Sequence, residues 1–75
     1  MAKLPRDCSG RQAVRALQRA GWLVARQTAS HIIMVKPGRR PTLSVPDHRS
    51  LDPGLLRSLL RHAELSVDEF IRVLS

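Results

Sequence analysis

Three shortages frame this 75-residue sequence: it has one cysteine, two aromatic residues and six acids. The lone Cys8 cannot form an internal disulfide, and no second cysteine or histidine cluster stands near it to make a recognisable zinc site. A reducing, cytoplasmic setting is expected. Trp22 and Phe70 are the only aromatics, which leaves little for the stacking platforms with which many single-strand binders hold bases. No apolar run approaches the roughly 20 residues that span a bilayer, and the N-terminus lacks the apolar centre of a secretory signal. A soluble protein without membrane association is expected, and one domain over residues 1–75, because a chain this short cannot build a second core.

Against the six acids stand 13 lysines and arginines, for a net charge of +7 and a pI near 11.6. The excess is uneven. Up to Arg40 the only acid is Asp7, whereas Glu64, Asp68 and Glu69 crowd the C-terminal part. A field of this sign attracts phosphate backbones, so nucleic acid is the expected partner, although surplus arginine would also simply solubilise a small surface.

Helical periodicity runs from Ser9 to Ala20. Ala13, Val14, Leu17 and Ala20 share one face and Arg11, Arg15 and Arg19 the opposite one, with Ser9 as N-cap and Gly21 as the left-handed stop. Three short segments follow, Trp22–Gln27, His31–Lys36 and Pro41–Val45, rich in large apolar or β-branched residues and separated by turn formers. They read as a three-stranded antiparallel meander with the last strand at an edge, since Pro41 and Pro46 cannot donate to a ladder. Asp52-Pro53 then caps a second helix whose inner face is Leu55, Leu56, Leu59, Leu60 and Ala63. Ser66-Val67-Asp68-Glu69 has the spacing of a capping box and opens a short third helix carrying Phe70, Ile71 and Leu74.

The predicted architecture is a two-layer α+β domain, with both main helices on one face of the sheet. The second strand carries Ile32 and Met34 on one side and Ile33 and Val35 on the other. One pair is therefore left on the open face, where a partner protein or a second copy would cover it.

The order of blocks resembles the HicA (YcfA-like) family of toxin endoribonucleases from Leu4 to Leu74. The blocks that carry the likeness are Ser9-Gly10, Ala20-Gly21-Trp22, Arg26-Gln27 leading to Ser30-His31, Val45-Pro46-Asp47-His48, Pro53-Gly54 with Leu56-Arg57-Ser58-Leu59-Leu60, and Ala63-Glu64-Leu65. The resemblance implies a fold similar to the double-stranded-RNA-binding domain. It implies metal-independent cleavage of messenger RNA through a histidine at the start of the second strand, and neutralisation by a HicB-type antitoxin. His31 is the matching position; the family usually has glycine where Ala29 stands, so an altered turn is expected there.

RNA carries its own nucleophile, the 2′-OH beside the scissile phosphate. The protein must supply a base, an acid and positive charge for the phosphate oxygens, and no cofactor or metal. Histidine as a residue type serves either proton task near neutral pH. On spacing alone His31 reads better as a histidine that packs or hydrogen-bonds, since lone histidines are usually structural; the resemblance makes it the catalytic candidate. Ser30, His48 and Lys36 are candidates for support, while Arg26 and Lys36, flanking the His31 turn, are candidates to hold phosphate. Arg11, Arg15, Arg39, Arg40 and Arg57 are further RNA-binding candidates, each of which reads as well as a solvated charge. The competing function is a non-catalytic RNA-binding module of the same fold. A helix-turn-helix DNA binder is disfavoured, because three strands separate the two main helices.

Overall fold

In the computed structural model, residues 3–5, 7–38 and 42–74 are described. Ser9 accepts the Gln12 backbone N–H, and the Gln12 side chain accepts the Ser9 N–H in return, a reciprocal cap that opens helix α1 (Gly10–Arg19). Gly21 ends it at φ +100°, with Gly21 N–H donated to Gln18 O and Trp22 N–H to Leu17 O. This is the paired closure that a left-handed residue permits. The chain then runs into β1 (Leu23–Gln27), β2 (His31–Val35) and β3 (Leu43–Pro46), an antiparallel sheet in the order β1-β2-β3. The last strand is an edge, as expected, and ends on Pro46. Pro41 lies outside the described residues.

Asp52 accepts Leu55 N–H at the start of α2 (Pro53–His62), with proline in the first turn. Ser66 and Glu69 exchange backbone N–H bonds at 3.1 Å ahead of α3 (Val67–Leu74). The Ser66 N–H, and after it the Ser66 side chain, holds the Glu69 carboxyl below the usual carboxylate range.

The helix side of the sheet presents Ile32, Met34, Leu43 and Val45 to Leu17 of α1 and to Leu56 and Leu60 of α2, all buried. Trp22 is 1% exposed and anchors this core from just before β1, and Phe70 is fully buried. α3 therefore joins the core rather than trailing from it, and packs on α1. Arg19 donates to the Val73 carbonyl at 2.7 Å, which satisfies a backbone acceptor at the end of α3. Cys8 is buried, its carbonyl accepts the Leu51 N–H, and burial pushes its thiol pKa up. The α+β arrangement expected from periodicity is the one observed.

Candidate active site

β1 and β2 are joined by the turn Thr28-Ala29-Ser30-His31, and Thr28 braces it. Thr28 N–H is donated to His31 O at 2.8 Å, His31 N–H to Thr28 Oγ1 at 3.0 Å, and the Thr28 hydroxyl to His31 O at 3.2 Å. Ala29 does not take a left-handed conformation: among the described residues Glu64 is the only non-glycine with positive φ. The turn expected to depend on glycine is thus closed here by a threonine side chain.

His31 is half-buried at the first position of β2, and its Nδ1 lies 2.9 Å from Ser30 Oγ. Strand alternation puts His31, Ile33 and Val35 on the face away from the helices, since Ile32 and Met34 are buried beneath α1 and α2. Across the ladder Leu23 stands opposite Val35, Arg26 opposite Ile33, and Ser44 opposite Ile33 on the other side. Arg26 reaches this face because of a β-bulge: the register shifts between Val24 and Arg26, so Ala25 is the extra residue. In a regular strand Arg26 would share the face of Val24; the bulge turns it toward His31 and turns Gln27 to the helix side.

The end of β3 closes the site from the other flank. Pro46 is the ladder partner of His31, and Asp47 N–H is donated to Ser30 O at 2.9 Å. The Asp47 carboxylate accepts Arg11 Nε at 3.3 Å and Nη2 at 3.5 Å, while Gly10 N–H is donated to His48 O at 2.8 Å. His48 therefore stands in an exposed loop held at the His31 end of the sheet.

Lys36 requires a correction. It was expected beside the His31 turn, but it follows the far end of β2, about 16 Å along the strand at ~3.3 Å per residue. Its ammonium is donated to Ala20 O at 3.0 Å, at the C-terminus of α1, so it stabilises a helix end and does not reach His31. Arg11, Arg15 and Arg57 stand on the helices, all exposed, with Arg11 engaged by Asp47. Arg39 and Arg40 lie outside the described residues. Among those described, no three histidine, cysteine or acidic side chains gather as metal ligands, and no helix is long and apolar enough to cross a membrane.

A histidine at a hairpin end thus has its own hydroxyl partner, on a sheet face that no helix covers and that an arginine shares. The profile of the family described as "HicA toxin of bacterial toxin-antitoxin" matches residues 10–65. The chain belongs to the HicA toxin family. A chain of a toxin–antitoxin complex from Streptococcus pneumoniae is similar in structure, with a TM-score of 0.69 and 29% identity over 77% of this chain and 98% of that one. No curated protein matches. The HicA match begins at Gly10 and ends at Leu65, so it contains the braced hairpin, the bulge and the Asp47 loop.

Sequence reasoning missed three contributors to the site. They are the Thr28 brace on the His31 backbone, the Asp47 carboxylate that engages Arg11, and the bulge at Ala25. The pairing of Thr28 with a turn did carry a signal, because threonine hydroxyls commonly bond backbone groups at turns.

Proposed function

We propose that the protein is a toxin acting as a metal-independent endoribonuclease, which cuts messenger RNA through His31 in the cytoplasm and so blocks translation. The observation that carries this reading is the pinned imidazole on an open face. When Nδ1–H is donated to Ser30 Oγ, the lone pair of Nε2 is left for an incoming proton, and the same bond persists once the ring is protonated.

The RNA 2′-OH attacks the adjacent phosphorus as its proton passes to His31, and the bond to the 5′-oxygen breaks. In-line displacement puts the attacking and leaving oxygens on opposite sides of phosphorus, so the leaving oxygen needs a second proton source. His48, held at the same end of the sheet, is the candidate. Arg26, across the ladder from Ile33 and diagonal to His31, supports the equatorial oxygens as their charge grows. The products are a 2′,3′-cyclic phosphate and a 5′-hydroxyl.

Incubation of purified protein with RNA in chelator tests the reading: cleavage should persist, with cyclic-phosphate ends. The His31→Ala variant, folded by circular dichroism, should lose a factor of about 10²–10⁴ in rate. RNA that is bound but left intact would favour the non-catalytic module; a His31→Ala variant as fast as the parent would remove His31 from the mechanism.

The partner on this reading is a HicB-type antitoxin. Leu23, Ile33 and Val35 form an apolar strip that no helix covers, on the face that bears His31. A protein that buries this strip and answers the charge of +7 with acidic groups would close the site at the same time.

A further inference from the structure

Between the outer side of α1 and the β1 edge lies a groove of about 220 Å³, on the opposite side of the sheet from His31. Its floor is aliphatic, made by Val14, Val24 and Ile32, and its rim carries Arg15, Gln18 and Gln27. The two amides and the guanidinium make no hydrogen bond or ion pair among the described residues. Val24 is 42% exposed although it faces the helix layer, so the floor is open to solvent at the edge of the sheet. Sites for whole small molecules commonly run to ~300–1,000 Å³. This groove is smaller and suits a single flat ring.

We propose that the α1–β1 groove seats one base of the RNA substrate, flanking the nucleotide cut at His31, with Gln18 and Gln27 reading its edge and Arg15 holding its phosphate. The proposal rests on the ribonuclease reading above. Three observations carry it. The Gln27/Ile32 pair stands next to the turn that bears His31, so an RNA strand crossing the β1 edge there meets the groove and the imidazole in succession. The bulge at Ala25 sends Arg26 to the His31 face and Gln27 into the groove, placing a cation and an amide on the two sides of one edge. Arg11 also lines the groove but has its charge answered by Asp47, so Arg15 is the rim cation left for phosphate, and no acid lines the groove itself. An amide offers a donor beside an acceptor, the pattern that base edges present in single-stranded RNA. With two aromatics in the chain, both fully buried, base recognition falls to such a groove rather than to stacking.

The test uses the full chain with a randomised RNA pool. Cleavage ends are sequenced for the parent, for the Gln18→Ala/Gln27→Ala double variant and for Arg15→Ala; all three positions are exposed, and folding is checked by circular dichroism. The parent should show a base preference at one position beside the cut. The double variant should flatten that preference and raise KM at least fivefold with kcat within twofold. Arg15→Ala, in the His31→Ala background, should weaken RNA binding alike for all sequences and lower the slope of log affinity against log salt by about 1. Cleavage with the same preference and KM in the double variant overturns the groove and leaves the ribonuclease standing. So does a loss of antitoxin binding with RNA handling unchanged, which would make the groove a protein-docking edge. A parent that neither cuts nor binds RNA overturns both readings.

Discussion

Residue 10 has no room for a side chain. A Cβ there would run into the carbonyl oxygen of Pro46, with the Pro46 carbonyl carbon and Asp47 Cα close behind, and all three are backbone atoms that cannot swing away. Gly10 is buried at the first turn of α1, and its N–H already holds His48 O. The missing methyl is what lets the helix start approach the strand that pairs with His31. Gly10→Ala should therefore cost about 1–3 kcal/mol through forced backbone displacement. It should also lower RNA cleavage beyond what the lost folded fraction accounts for, because Pro46 is the ladder partner of His31. Denaturant melts together with kcat at a temperature where the variant is fully folded would separate the two effects. A variant with parental stability would mean that α1 can shift away from β3 freely. The same scale explains why Lys36 was misread: its position in the chain is next to β2, but its ammonium goes where an unpaired helix carbonyl needs a donor, and that need is not written at residue 36.

At the scale of elements, what sequence made legible is what neighbouring residues decide. The caps at Ser9, Asp52 and Ser66 and the stop at Gly21 satisfy backbone groups within four or five residues, so residue type at a fixed spacing foretells them. Strand boundaries moved by a residue or two. The bulge was not legible, since Ala25 is an ordinary strand residue and the shift depends on how β1 meets β2. Nor was the end of α2, where Glu64 takes φ +56° and closes the helix as Gly21 does, without the glycine that would announce it. The Thr28 brace falls between these cases. Thr28→Val keeps the shape and suits a strand, yet it removes the hydroxyl that both accepts from and donates to the His31 backbone. A loss of about 1 kcal/mol follows, which in a domain of this size lowers Tm by roughly 4–8 °C. RNA cleavage should fall as well, because the turn that orients His31 loosens, and Thr28→Ser should restore both. Parental kcat in Thr28→Val would mean that the ladder alone fixes the histidine.

Across the whole molecule, the two faces of the sheet have different fates. One is filled by Trp22, Met34 and Phe70 under three helices; the other keeps Leu23, Ile33 and Val35 beside Arg26 and His31, with Leu23 54% exposed. Exposed aliphatics on a small basic protein are an aggregation hazard, which a partner relieves by covering them. Because the strip and His31 share a face, covering one occludes the other, and inhibition needs no change of shape in the toxin. Leu23 lies outside the core, so Leu23→Asp should leave Tm within a few degrees and keep RNA cleavage. On the proposed reading of an acidic antitoxin seated on this strip, it removes an apolar contact and sets like charges together, and a central contact of this kind is worth ~2 kcal/mol or more, roughly 30-fold in affinity. Co-expression with the antitoxin should then fail to rescue growth, and titration of the purified pair should show the weakened binding directly. If Leu23→Asp binds its antitoxin as tightly as the parent, the partner seats elsewhere, and the apolar strip must be covered by something other than the inhibitor.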